Sequence, residues 1–151
     1  MIVTKIGVQD NIDSVKDLLR RAGLPLEDID EHLSDFITAE YDGRIVGVIG
    51  LEACGKVGLL RSLAVDVGYR SRNIGSHLVK EMIGYTQNLK IEKLLLITTT
   101  ARDYFEKFGF AMVDRENVPS EVKNTRQFQG ICPVSAICME MTLSHNERNH
   151  A

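Results

Sequence analysis

The sequence contains no apolar run approaching the ~20 residues of a membrane-spanning helix. Its opening, MIVTKIGVQDNID, lacks the charged start, long apolar core and small-residue cleavage site of a secretory leader. A cytoplasmic protein with no membrane contact is therefore the expectation. The cysteines Cys54, Cys132 and Cys138 form no C-x-x-C pair, and no histidine pair stands at ligand spacing, so no metal site is expected. Their odd number points to reduced thiols, not a disulfide framework. The net charge of −3 lacks the basic excess that nucleic-acid binding generally needs, which sets that class of partner aside. There is no internal repeat and no low-complexity segment. What remains is 151 residues, 44% hydrophobic and 26% charged, an ordinary globular composition. A chain of this length forms one domain, here expected over 1–151, and buries about two-thirds of its surface without covalent staples. The polar tail 144–151 is expected to fray.

The hydrophobic pattern alternates between strand and helix periods. Met1–Gly7 reads as an edge strand. Asp10-Asn11-Ile12-Asp13 supplies helix-capping residues, Val15, Leu18, Leu19 and Ala22 lie at helical spacing after it, and Gly23 ends the helix. Pro25 and the acidic run Glu27–Glu31 predict a second short helix ending near Leu33. Phe36–Glu40 is a strand, and Asp42-Gly43 sits at the centre of a hairpin turn that leads to the return strand Ile45–Ala53. A second tight turn at Cys54–Val57 leads into the apolar strand Val57–Asp66. Asn73–Asn88 is helical and Leu94–Thr100 is a buried strand, a strand–helix–strand unit that implies parallel pairing. A short helix over Ala101–Phe108 closed by Gly109, a strand at Phe110–Val113, a helical turn within Pro119–Phe128 and a strand at Ser135–Leu143 complete the chain. The fold class is thus α/β (α+β), with a mixed sheet of about seven strands and helices on both faces.

The stretch Leu63-Ala64-Val65-Asp66-Val67-Gly68-Tyr69-Arg70-Ser71-Arg72-Asn73-Ile74-Gly75-Ser76 carries the sharpest chemical signal. A buried strand ends, a turn with two arginines comes next, and a helix begins near Asn73. Amide groups at a helix start point outwards and favour an anion. Gly75 removes a side chain where a phosphate would approach, and Asn73 tolerates left-handed backbone nearly as well as glycine. Arg70 and Arg72 add positive charge, and the whole makes a diphosphate cradle. The alternative is a solvated basic turn with a helix-packing glycine. Neither the Walker loop nor the G-x-G-x-x-G dinucleotide fingerprint is present.

This stretch resembles motif A of the GNAT superfamily of acyl-CoA-dependent N-acetyltransferases, Q/R-x-x-G-x-G/A. Arg70, Gly75 and Ser76 match, and Asn73 stands where the first glycine usually does. Tyr104-Phe105-Glu106-Lys107-Phe108-Gly109-Phe110 resembles the family's motif B, and the element order matches along nearly the whole chain. The resemblance implies a GNAT-like fold and acetyl-CoA as cofactor. The diphosphate would lie on the amides of Arg70, Ser71, Arg72, Asn73, Ile74, Gly75 and Ser76. The pantetheine arm would pair with Leu63, Ala64 and Val65 where the fourth and fifth strands part, and an amide there would serve as oxyanion donor. A tyrosine in motif B often protonates the departing sulfur in related enzymes. Here Phe105 occupies that position, and Tyr104, ~100° round the helix, does not replace it.

Two charges stand in otherwise apolar strands. With Gly55-Lys56 as a two-residue turn, Glu52 falls opposite Leu59, and Arg61 lies one diagonal step away on the same face, ~7–8 Å between Cα atoms. The readings are a structural ion pair, or an acceptor site in which Glu52 takes the amine proton and Arg61 grips an acidic group. His32 and His77 read as surface or packing residues. One threonine of Thr98-Thr99-Thr100 stands where it can touch substrate, with β propensity the alternative. Leu59–Leu63, the triple threonine, Pro119, Thr125, Gln127-Phe128, Cys132-Pro133 and Ser135-Ala136 are similar to GNAT proteins linked to arsenic-resistance gene clusters. The expected function is acetyl transfer from acetyl-CoA to the primary amine of a small, acidic, amino-acid-like molecule. A protein amine acceptor and a non-catalytic acyl-CoA sensor stay open, as does a homodimer.

Overall fold

The computed structural model describes residues 2–7, 11–24, 26, 29–125 and 136–143. Gln127, Phe128, Cys132, Pro133, Ser135 and the tail 144–151 lie outside the described residues. Seven strands are described: β1 (Ile2–Ile6), β2 (Ile37–Tyr41), β3 (Arg44–Cys54), β4 (Val57–Val65), β5 (Lys93–Thr98), β6 (Ala111–Val113) and β7 (Ile137–Thr142). The helices are α1 (Ile12–Arg21), α2 (Ile74–Asn88), α3 (Arg102–Glu106) and α4 (Ser120–Lys123). The strands form one mixed sheet in the order β1-β2-β3-β4-β5-β7-β6. Two compact units divide the chain, Met1–Glu52 with Leu60–Tyr85, and Ala53–Leu59 with Thr86–Ala151.

In the first unit the alternation of β3 distributes its residues between two helical layers. Val48 joins the buried cluster of Val15, Leu18, Leu19, Ile29, Phe36 and Ala64, which seats α1. Its neighbour Gly47 faces the other way, where a Cβ would stand 3.0 Å from both Ile74 and Leu78, so α2 packs close against the strand. The helices cover both faces here, as the pattern predicts. The β2–β3 turn is also as expected: Asp42 and Gly43 both have positive φ, 51° and 78°, the geometry that suits a tight hairpin. The expected short helix after Pro25 is instead a pair of 3₁₀ turns, Ile29–Glu31 and Leu33–Asp35. Their bonds run from His32 N–H to the Ile29 carbonyl and from Asp35 N–H to the His32 carbonyl, each 3.0 Å. A repeat of three residues brings Ile29, His32 and Asp35 onto one edge. It delivers Phe36 over Gly50 of β3, fully buried.

In the second unit β5 pairs in parallel with β4 at Val57↔Lys93, Gly58↔Leu94 and Leu59↔Leu95, as the strand–helix–strand pattern implies. On its other side β5 pairs with β7 along all six residues, Lys93↔Thr142 to Thr98↔Ile137. The last strand therefore lies between β5 and β6. Val57, Leu59, Leu95, Val118, Val122 and Cys138 form the buried cluster of this unit.

The contact of Phe36 with Gly50 gives a direct test. A Cβ at Gly50 would lie 2.6 and 2.8 Å from the two Cε atoms of the Phe36 ring, and closer still to Cζ. Gly50→Ala should destabilise the protein by about 1–3 kcal/mol through overpacking. Urea denaturation should show this as a lower midpoint with an unchanged slope.

Candidate functional site

The chain leaves the sheet at Val65, and the next nine residues are built around one carboxylate. Asp66 caps a 3₁₀ turn over Val67–Arg72, its Oδ1 accepting from the Gly68 N–H at 3.0 Å. Its Oδ2 accepts from Arg21 of α1 at 3.4 Å and from Arg44 of β3 at 3.3 Å. Its own N–H donates to the Val46 carbonyl at 2.8 Å, which ties the turn to β3. The Gly68 amide, aided by the Arg21 and Arg44 charges, holds the carboxyl below its ordinary value against the opposing effect of burial.

The turn ends at Asn73, whose φ of 60° and ψ of 24° are left-handed. This is the conformation for which asparagine is the best substitute for glycine, and it redirects the chain into α2 at Ile74. His77 N–H donates to the Asn73 carbonyl at 3.0 Å, so the amides of Ile74, Gly75 and Ser76 precede this first ladder bond. Arg70 turns back to donate from Nε to the Val65 carbonyl at 3.2 Å. Arg72 extends over the rings of Tyr41 and Tyr69. The run from Arg70 to Ser76 is thus a braced, arginine-flanked helix start. In β4, Ala64 is buried in the α1 cluster, while Leu63 and Val65 are half-buried. Just before them Ser62 has φ 59°, a left-handed residue inside a strand. Such a residue interrupts the pleat and re-aims the side chains and amides beyond it.

Glu52 and Arg61 meet as the diagonal register requires, with Arg61 Nη1 donating to Glu52 Oε1 at 3.4 Å. The Arg61 side chain is only 1% exposed and that of Glu52 12%. Arg61 Nε also donates to the Ser62 hydroxyl at 3.2 Å, so the same guanidinium braces the left-handed residue. Glu52 shares a face of β3 with Val48 and Gly50, at the end beyond the apolar contacts.

His32, expected from the sequence among surface or packing residues, belongs to this cluster. Its Nε2 lies 3.9 Å from Glu52 Oε1. The segment that carries it is pinned by Tyr85 of α2, whose hydroxyl donates to Asp35 Oδ1 at 2.6 Å. Burial and the Asp35 carboxylate push the Tyr85 hydroxyl up to about 12. The period-three run Ile29, His32, Asp35 is the signal that would have placed His32. His77 is exposed on α2.

In the second unit, Phe105 of α3 is buried and sets its ring edge-on to Tyr104 at 5.2 Å and near-perpendicular to Phe110 at 5.9 Å. Tyr104 also packs edge-on against Phe108 at 5.3 Å. Thr98 Oγ1 accepts from the Ala101 N–H at 3.0 Å, so this threonine shapes the entry to α3. Among the described residues no cluster of three or more His, Cys, Asp or Glu can hold a metal ion, and no helix is long and apolar enough to cross a membrane.

A family profile described as acetyltransferase (GNAT) family matches residues 9–110. An uncharacterised N-acetyltransferase of Chlorobaculum tepidum is 26% identical over 98 residues, 64% of this chain and 63% of that protein. An amino-acid acetyltransferase of Shewanella oneidensis is 27% identical over 105 residues, 68% of this chain and 24% of that enzyme. The chain therefore spans less than two-thirds of either relative. Among solved structures, N-acetylglutamate synthase from Neisseria gonorrhoeae, complexed with coenzyme A and N-acetyl-glutamate, superposes with a TM-score of 0.82 at 19% identity. The superposition covers 96% of this chain and 36% of that one.

The Asp66 clamp carries a pH signature. A carboxylate held below its ordinary value of 3.8 contributes stability that is complete above that value. The contribution fades as the pH falls towards the lower folded-state value. Asp66→Ala should cost about 1–2 kcal/mol near neutral pH, chiefly from the lost cap, with a smaller part from the lost contacts to Arg21 and Arg44. The gap from the unaltered protein should narrow below pH ~4, as measured by chemical denaturation across the acid range.

Proposed function

The chain belongs to the acetyltransferase (GNAT) family, and from that premise we propose that it moves an acetyl group from acetyl-CoA to the primary amine of a small amino-acid-like molecule. The observation that carries the cofactor half is the turn from Asp66 to Ile74. A left-handed Asn73 and a helix start stand where a diphosphate needs amides, two arginines flank them, and the nearby acid, Asp66, already has two guanidinium partners. These residues fit coenzyme A. The amides of Arg70, Ser71, Arg72, Asn73, Ile74, Gly75 and Ser76 would hold its diphosphate. The backbone of Leu63, Ala64 and Val65, beyond the left-handed Ser62, would hold its amide-bearing arm and supply an oxyanion donor. The bound cofactor supplies an activated thioester carbonyl.

The acceptor half rests on Glu52 and Arg61. Two opposite charges side by side are the complement of a zwitterion, and an amino acid's ammonium and acid groups can exchange one ion pair for two. Glu52 accepts the proton of the acceptor ammonium: an N–H bond breaks, a carboxyl O–H bond forms, and a neutral amine is left to attack. Arg61 meets the acid group. The amino-acid acetyltransferase of Shewanella oneidensis supports an acceptor of this class. The sequence puts no cysteine in a recognisable nucleophile context, which favours direct transfer over a covalent acyl-enzyme. Tyr104 is not given the task of protonating the departing sulfur, since a thiol of pKa ~8.5 leaves without an acid. A second reading, a non-catalytic acyl-CoA sensor, draws on the burial of Phe105 at the motif B position.

Thiol release from acetyl-CoA should be followed over a panel of acceptors. The panel holds glutamate-like amino acids, their phosphinate and arsonate analogues, and a peptide with a free N-terminus. Release with the amino acids or their acid analogues supports the proposal, and with the phosphinates or arsonates it extends it to the arsenic-linked acceptor class. Release with the peptide alone moves the acceptor to a protein amine. Thermal stabilisation by acetyl-CoA with no release anywhere favours the sensor.

Gly75→Glu places bulk and negative charge at the start of α2 and should abolish acetyl-CoA binding in calorimetry. Unchanged affinity would refute the cradle. Glu52→Gln should lower kcat by about 10²-fold or more while the affinity for acetyl-CoA holds. Arg61→Lys keeps the charge but not the fork, and should raise KM for an acidic acceptor about tenfold, far more than it raises KM for acetyl-CoA.

A further inference from the structure

The guanidinium carbon of Arg72 lies 5.4 Å from the ring centre of Tyr41 and 5.0 Å from that of Tyr69. The two ring centres are 5.6 Å apart, with their planes at 51°. The three groups form a near-equilateral triangle with the cation over both π faces. Tyr41 comes from the last position of β2, beside the Asp42-Gly43 turn. Tyr69 comes from the 3₁₀ turn that also carries Arg72, and a separation of three residues puts the two on one edge of that turn.

This stack uses the guanidinium differently from an ion pair. The rings attract its charge and take up none of its N–H donors in a hydrogen bond to oxygen. Arg21 and Arg44 spend donors on Asp66, and Arg70 is tied to the Val65 carbonyl. Arg72 makes no hydrogen bond or ion pair among the described residues. It is an arginine whose charge is seated over two rings while its donors make no hydrogen bond among the described residues, one residue before the left-handed Asn73. A guanidinium ordered in advance binds a planar or tetrahedral oxyanion without the entropic cost of fixing a mobile side chain.

We propose that Tyr41 and Tyr69 are positioning residues that hold Arg72 for a phosphate monoester, the 3′-phosphate of coenzyme A. The proposal rests on the cofactor reading above. Coenzyme A carries two anionic groups, a diphosphate and a ribose monoester. Leading amides of α2 suit the first. The second needs a side chain that reaches into solvent and offers paired donors, and Arg72 does both. The stack thus makes the site selective for coenzyme A over its form lacking that phosphate.

Isothermal titration with coenzyme A and with dephospho-coenzyme A tests this. The unaltered protein should bind coenzyme A about tenfold more tightly. Arg72→Ala should erase the difference, and the pair Tyr41→Leu with Tyr69→Leu should reduce it several-fold. Tyr41→Phe with Tyr69→Phe keeps both rings and should restore it. The leucine pair placed on Arg72→Ala should add nothing further. Equal binding of the two ligands by the unaltered protein overturns the proposal and needs no variant to fold; the cofactor reading then stands. Arg72→Ala weakening both ligands alike does the same. A difference that survives the leucine pair removes the tyrosines from the role. Binding of neither ligand by the unaltered protein overturns both readings.

Discussion

The Asp66 carboxylate carries the turn between β4 and α2, and the candidate cofactor site depends on it. One oxygen caps the turn through Gly68, and the other collects guanidinium groups from α1 and β3. An acid at the head of an anion cradle would ordinarily repel the ligand. Here it is already matched by two cations, so it fixes the backbone without setting negative charge against a phosphate. The same residue ties the turn to two elements distant in sequence, α1 through Arg21 and β3 through Arg44 and the Val46 carbonyl. The direction in which the α2 amides point is thereby a property of the whole first unit, not of the loop alone.

Local geometry is largely legible in the residues. Asp42-Gly43 names a turn with two positive φ values, and both are positive. Asn73 in place of a glycine implies left-handed backbone, and it is left-handed. The Glu52–Arg61 contact comes from counting a two-residue turn and applying the period of a strand. Each of these rests on a few adjacent residues or on a rigid repeat. The illegible part depends on packing between distant segments. The stretch after Pro25 reads as a helix, because acidic residues at a helix start look alike whether the period is three or three and a half. Burying both Ile29 and Phe36 against the first-unit core selects the tighter repeat and so places His32 beside Glu52. Tyr41 and Tyr69 belong to different elements, and no spacing links them to Arg72.

The position of β7 has the same kind of cause. β5 is apolar through Leu94, Leu95 and Leu96, all buried, and needs a full-length neighbour on the side away from β4. The three residues of β6 can offer only half of that ladder, whereas the six of β7 fill it. Chain order would put β6 there; hydrogen-bond satisfaction puts β7 there. β6 then pairs with β7 through Ala111↔Glu140, Met112↔Met139 and Val113↔Cys138, at the outer edge, where Met112 is half-exposed.

The left-handed Ser62 gives Arg61 a role that neither a plain ion pair nor a plain substrate grip accounts for. A non-glycine residue at φ 59° inside a strand stores strain of about 1–3 kcal/mol and persists only when its surroundings hold it. The Arg61 guanidinium is the neighbour that does so, through the Ser62 hydroxyl, while another of its nitrogens holds Glu52. One buried cation therefore fixes both the carboxylate proposed to take the amine proton and the kink that precedes the backbone proposed to receive the thioester. Strain in β4 and charge at the end of β3 are coupled through that side chain. An acceptor that draws Arg61 towards its own acid group would loosen the brace on Ser62 at the moment the acceptor is seated. Acceptor identity would then be felt along the strand proposed to carry the oxyanion donor, and discrimination between acceptors would appear in turnover as well as in affinity.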